Sequence, residues 1–307
     1  MTRKILRQGQ DQTSNLEHAD IQGGEKPAGE RHKAEIPTLL ILPANALILH
    51  EDVDSRRVEP LVERLRIDGV LKNPPIAVSV ETPTGHNGPR YVILDGANRT
   101  TALWKLEAPH HLVQVVDYHQ VELDTWGHLV TGITQEMFFE ALARTGLDLD
   151  LITRQDARER LARHEIVASI ASPNGQVLAV PAHGSEPEIL HRLTSVYNGQ
   201  ATIHRVTTDD LAELLPYYQD VAALVRFPRY TRDEILYLAS NGYKLPTGIT
   251  RHVIPGRALR VNLPLSVLMD AQQTTRQKNE WLHTWISHKL ARREIRYYQE
   301  STFLFDE

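Results

Sequence analysis

Two carboxylates stand where acids do chemistry. Glu51 follows His50 at the end of the apolar run Ala46 to Leu49, and Asp95 closes the apolar run Tyr91 to Leu94. Short apolar runs of this kind read as buried strands, so each acid sits at a strand end. After Asp95 comes Gly96-Ala97-Asn98-Arg99-Thr100, opening a segment with Ala102, Leu103 and Leu106 on one helical face. A strand that stops on Asp-Gly and a helix that opens on Asn-Arg present free backbone N–H groups beside a fixed cation, an arrangement that suits phosphate. An acid at the same place can hold Mg²⁺ over that phosphate. A second carboxylate can take the proton of a hydroxyl. Phosphoryl transfer to a hydroxyl asks for these parts: an acceptor in line, neutralised phosphoryl charge and a base. Each feature also has an ordinary reading. Glu51 belongs to the acidic run Glu51-Asp52-Val53-Asp54 ahead of a helix, and Asp95 could cap the next helix with Arg99 solvated.

Other polar residues extend the pattern. Lys72 and Asn73 precede the rigid extended pair Pro74-Pro75 and could contact a nucleotide or shape its loop. His50 could orient Glu51 or touch phosphate. Thr250-Arg251-His252 lies between turn signals, and the Arg251 guanidinium suits a carboxylate. There is no HExxH pair, no Walker-A motif, no Gly-x-Ser-x-Gly and no cysteine, and the fifteen histidines are scattered.

Four segments in order resemble the ParB/sulfiredoxin superfamily, and within it the free L-serine kinases: His50-Glu51-Asp52, Leu71-Lys72-Asn73-Pro74, Asp95-Gly96-Ala97-Asn98-Arg99, and Gly248-Ile249-Thr250-Arg251-His252 continued by Arg257-Ala258-Leu259-Arg260-Val261-Asn262. The resemblance covers roughly residues 37 to 265. It implies a kinase that moves a phosphoryl group from ATP or ADP to L-serine with Mg²⁺. Glu51 and Asp95 would be catalytic, with Asp95 the Mg²⁺ ligand. His50, Lys72, Asn73, Gly96, Ala97, Asn98, Arg99 and Thr100 would bind nucleotide and phosphate. Trp126, His128, Thr250, Arg251 and His252 would bind serine. Asn98 stands where relatives carry histidine, so no imidazole is available there. The alternative is a ParB-like DNA-binding or regulatory protein, which should carry a helix-turn-helix and basic DNA-facing helices.

The elements that must position these residues follow an α/β (α+β) pattern, a ParB/sulfiredoxin-like nucleotide domain over 36–146 followed by a mixed α+β C-terminal domain over 147–307. Residues 1–35 are polar and read as a disordered leader. Strands are expected at Thr38 to Leu42, Ala46 to Leu49, Ile76 to Val80, Tyr91 to Leu94 and Leu112 to Val116. Val58, Leu61, Val62 and Leu65 have helical spacing with Gly69 as the stop, and Pro60 is tolerable there only in the first turn. Thr82 to Pro89 is a turn-rich loop. Thr134 to Thr145 reads as a helix with Met137, Phe138 and Leu142 on one side. Ile166 to Ile170 and Gln176 to Val180 pair across Pro173-Asn174-Gly175. Gly256 to Asn262 reads as a strand, and Trp281, Leu282, Trp285, Ile286 and Leu290 mark an amphipathic helix.

Composition narrows the class. The 307 residues are 41% hydrophobic and 24% charged, with a formal net charge of −5. That balance fits a soluble globular protein and advertises no broad nucleic-acid surface. No apolar run approaches the ~20 residues that span a bilayer. The expected setting is cytoplasmic, the expected partners are nucleotide and serine, and nothing in the chain indicates an oligomeric state.

Overall fold

The computed structural model describes residues 36–80 and 88–298. The leader over 1–35 and most of the turn-rich loop, residues 82–87, lie outside the described residues. The chain opens with β1 (Leu39–Pro43), β2 (Leu47–Leu49), α1 (Ser55–Asp68), β3 (Val70–Leu71), β4 (Ile76–Val80), β5 (Arg90–Asp95), α2 (Ala97–Lys105) and β6 (His110–Val115). Five of these strands form one mixed sheet in the order β1-β6-β4-β5-β2. Strand β2 runs parallel to β5, with Leu49 opposite Ile93, so the chain leaves both strands at the same sheet end. That register is what brings His50 and Glu51 beside Asp95.

Local chemistry explains the helices that flank this end. The Asp54 side chain accepts from the Arg56 N–H and caps α1, and Gly69, at φ +63°, ends it in the left-handed conformation. Pro60 lies in the second turn of α1, deeper than the first-turn position expected of it. It is tolerated on the exposed face, where α1 presents Val58, Val62 and Leu65 to the core from the other side. Gly96, at φ +91°, turns the chain from β5 into α2; a Cβ there would stand 3.0 Å from the Pro75 Cα, so only glycine fits.

The second half continues with β7 (Glu122–Thr125), β8 (Gly127–Thr131), α3 (Gln135–Arg144), β9 (Asp150–Ile152), α4 (Arg154–Ala162), β10 (Ile166–Ala171), β11 (Val177–Pro181), α5 (Glu186–Ser195), β12 (Thr202–Val206), α6 (Leu211–Leu214) and β13 (Val221–Arg226). Then follow α7 (Arg232–Ser240), β14 (Thr250–Val253), β15 (Leu263–Pro264), α8 (Leu265–Met269) and α9 (Thr275–Ala291). Six strands make an antiparallel sheet in the order β12-β8-β13-β10-β11-β9. Phe138 and Leu142 of α3 and Leu190, Leu193 and Tyr197 in and after α5 fill its main core with Val130, Val167, Ile170 and Val225. The expected helix face of α3 is corrected at Met137, which is 54% exposed while Phe138 and Leu142 are buried.

The sheets do not divide the chain at residue 147. Strand β8 and helix α3 already belong to the second sheet, and the tail returns to the first. Leu282 and Ile286 of α9 pack with Ile41, Val62, Leu103 and Leu112, and Asn279 exchanges two hydrogen bonds with the backbone of Ile41. The expected strand over Gly256 to Asn262 is a loop; its Val261 N–H reaches the Lys72 carbonyl, and pairing resumes only at β15 against β3. No described helix is long and apolar enough to cross a membrane.

Two imidazoles are sealed in these cores. Burial pushes both His111 and His128 down to about 4. In the unfolded chain each returns to about 6.5, so below that pH the unfolded state binds more protons and stability falls as pH drops toward 4. Urea unfolding at about pH 7 and about pH 5 should show a loss of roughly 2 kcal/mol per histidine, and His111→Leu should remove one such share of the pH dependence while leaving the rest.

Candidate active site

A cleft of about 890 Å³ opens at the shared end of β2 and β5. It is lined by His50, Glu51, Lys72, Asn73, Asp95, Gly96, Ala97, Asn98, Arg99, Trp126, Thr250, Arg251 and His252, so most residues singled out from the sequence meet there. Eight arginines and lysines line it against four carboxylates, although the whole chain is net negative. A pocket with that excess of cations concentrates anions.

Glu51 is held by residues two hundred positions away. Its Oε2 accepts from the Gly248 N–H at 2.9 Å, and its Oε1 accepts from both the N–H and the hydroxyl of Thr250, each at 2.6 Å. A parallel bridge between Glu51 and Leu245 fixes the register, with the Asp52 N–H on the Leu245 carbonyl and the Leu245 N–H on the His50 carbonyl, both 2.8 Å. These three donors fix the direction in which the carboxylate points.

Behind Glu51 lies His50, 3% exposed. Its Nδ1 sits 2.6 Å from the Ile93 carbonyl, which only accepts, so that nitrogen carries the proton. Its Nε2 lies 2.8 Å from the Thr250 hydroxyl. That hydroxyl has one proton and faces two acceptors when the imidazole is neutral, Glu51 and His50. His50 and Glu51 thus share the one Thr250 hydroxyl. His50 nonetheless reaches the cleft lining.

Asp95 is arranged differently. Its Oδ2 takes Arg99 at 3.1 Å and is also held by Arg257. Burial alone would raise the Asp95 carboxyl; the guanidinium groups of Arg99 and Arg257 outweigh it and hold it below the usual carboxylate range. A carboxylate so engaged is a poor proton acceptor and a good anchor for the two cations. Arg257 was not singled out as a site residue from the sequence, although it stands in the quoted segment that begins with it; its reach to Asp95 across the 254–262 loop has no local signal. Helix α2 starts behind this acid with no side-chain cap, leaving the N–H groups around Ala97 and Asn98 at the cleft wall.

Several expected roles change. Thr100 is fully buried and its hydroxyl donates back to the Gly96 carbonyl at 3.1 Å, so it braces the first turn of α2 and does not line the cleft. His128 is 1% exposed, between the Tyr197 hydroxyl at 3.0 Å and the Gly248 carbonyl at 2.9 Å. It stays outside the cleft lining and holds the carbonyl of Gly248, the residue whose N–H donates to Glu51. Asn98 Oδ1 accepts from the Asp54 N–H at 3.0 Å, and Asn73 Oδ1 from the Arg260 N–H at 2.9 Å, so both amides tie loops together. Lys72 pairs with Asp68 at 2.8 Å at the cleft edge.

On the opposite wall β14 pairs with β7, setting Arg251 across from Asp124. The Arg251 guanidinium lies 4.8 Å from the centre of the Trp126 ring and 3.7 Å from Asp124. His252 meets the Tyr118 hydroxyl at 2.9 Å, and burial pushes its imidazole down to about 3, which keeps it neutral.

No family model matches the chain. By sequence it is 24% identical over 272 residues to the ATP-dependent L-serine kinase SbnI of Staphylococcus aureus, covering 88% of this chain and 97% of the relative. It is 23% identical over 246 residues to the ADP-dependent L-serine kinase SerK of Thermococcus kodakarensis, covering 77% and 97%. These curated relatives are L-serine kinases. Among solved structures, a C-terminally truncated SbnI from Staphylococcus aureus superposes with a TM-score of 0.64 at 21% identity, over 81% of this chain and 96% of that one. A free serine kinase mutant in complex with ADP gives 0.63 at 21% identity, over 77% and 98%. The fold is therefore that of the solved serine kinases, a mixed α/β architecture.

Gly248 carries φ +81°, and a Cβ on it would run into the Arg205 guanidinium. Gly248→Ala should destabilise the fold by about 1–2 kcal/mol, the usual cost of a left-handed L-residue, read as a lower urea midpoint at unchanged slope.

Proposed function

We propose that this chain is a free L-serine kinase, transferring a phosphoryl group from ATP or ADP to the serine hydroxyl to give O-phospho-L-serine. The observation that carries the reading is the triply bonded Glu51 carboxylate facing, across one cation-rich cleft, the uncapped N-terminus of α2. Likeness to named serine kinases over most of the chain supplies the substrate. The first sheet with α1 and α2 is then the ParB/sulfiredoxin-like nucleotide unit.

In this reading the nucleotide phosphates lie against the N–H groups of α2, with Arg99 and Arg257 neutralising them. Glu51 takes the proton of the serine hydroxyl as its oxygen bonds to phosphorus, and the bond from phosphorus to the leaving nucleotide breaks with its electron pair. Trp126, Thr250, Arg251 and His252 form the amino-acid end. Mg²⁺ binds through one or two carboxylates plus phosphate oxygens, so Asp95 beside the phosphate site fits, even though no group of three or more metal-binding side chains gathers among the described residues. When bound, the ion would add charge neutralisation at the phosphates. A DNA-binding role calls for a helix-turn-helix after the nucleotide unit, where the described residues form the six-stranded antiparallel sheet.

The direct test is phosphoserine formation by the purified protein from L-serine, Mg²⁺ and either ATP or ADP; no product with either donor sinks the proposal. Glu51→Gln should cut turnover by about 10²-fold or more with nucleotide affinity nearly unchanged, since it removes a base and keeps the shape. Near-normal turnover would remove Glu51 from that role. Arg99→Ala should weaken nucleotide binding by about tenfold or more, measured by calorimetry.

A further inference from the structure

The Arg205 guanidinium belongs to no network described so far. Arg205 projects from β12, across from His128 in the register with β8, and lines the cleft with Trp126, Thr247 and Thr250. Its Cζ stands 2.8 Å from where a Cβ on Gly248 would be. The absent side chain at 248 is therefore the space the guanidinium occupies. The same glycine donates its N–H to Glu51 Oε2 at 2.9 Å, so the cation lies one residue away from the base. Among the described residues, no hydrogen bond, ion pair or ring contact engages the Arg205 guanidinium. Arg251, the carboxylate partner expected from sequence, is by contrast already stacked on Trp126 and paired with Asp124.

We propose that Arg205 is a specificity-determining residue that takes the α-carboxylate of the amino-acid substrate. The inference rests on the serine-kinase reading and deepens it. In serine the hydroxyl and the carboxylate are separated only by Cβ and Cα, so an acceptor hydroxyl on Glu51 puts its carboxylate within a short reach of the Gly248 edge. A guanidinium offers that carboxylate a bidentate pair of charged hydrogen bonds. An uncommitted cation binds a substrate anion without first giving up a protein partner. Arg251 then serves as part of the wall, holding Trp126 flat against the substrate side.

The test compares L-serine with L-serinamide, which keeps the hydroxyl and amine but lacks the carboxylate, in the wild type and in Arg205→Met. Wild type should favour serine. Arg205→Met should reduce that preference by about tenfold or more, through a higher KM for serine, with the KM for nucleotide and the activity on serinamide little changed. Arg205→Lys should restore only part of the preference, because an ammonium gives a point charge without the fork. It also supplies the ratio if the Met variant does not fold. An unchanged ratio overturns the proposal, and so does an equal loss on both substrates, which would put Arg205 at the phosphoryl group. If the wild type makes no phosphoserine, the kinase reading falls and takes this inference with it; phosphoserine formation with an unchanged ratio removes Arg205 alone.

Discussion

The grip on the Glu51 carboxylate is the interaction on which the site depends. Three donors from Gly248 and Thr250 converge on it, and the backbone bridge from His50 and Asp52 to Leu245 holds the two stretches in register. The first sheet brings an acid to its edge, and the segment after α7 closes over that edge and defines where the acid points. Neither half makes the site alone. The same closure carries Arg251 and His252 in on β14, and the following loop brings Arg257 onto Asp95.

Charge is distributed with the same economy. The chain is net negative, yet its cleft gathers twice as many cations as carboxylates. The two acids at the centre are kept apart in character. Glu51 is held mostly by peptide N–H groups and a hydroxyl, whereas Asp95 is clasped by two guanidiniums that keep it ionised. The surroundings of the two carboxylates differ in kind, uncharged hydrogen-bond donors at one and paired guanidiniums at the other.

Much of this was legible in the sequence. The two strand-end acids, the Gly96 turn, the capped α1 and the 166–181 hairpin all have short-range signatures, and the structure has each of them. The misreadings share a physical cause. His128 and Thr100 look like polar site residues in one dimension, but burial turns them into supports, and burial is a tertiary property. The 256–262 stretch has strand-like composition but no neighbour at strand spacing until β3 is met at Leu263. Arg205 and Arg257 have no local context that separates them from any solvated arginine; only the closure of the chain delivers them to the cleft.

The hold on Glu51 also bears on how freely such a protein can drift. Two of its three donors are peptide N–H groups, which every residue except proline supplies. Replacement of side chains along 248–250 cannot delete them, so that wall is buffered against most point changes. The vulnerability is narrow and of a different kind: a proline at either donor position, a side chain at 248, or loss of the hydroxyl at 250. A lineage could rewrite nearly all of the surrounding sequence and still keep this carboxylate in place, provided the path of the backbone survived.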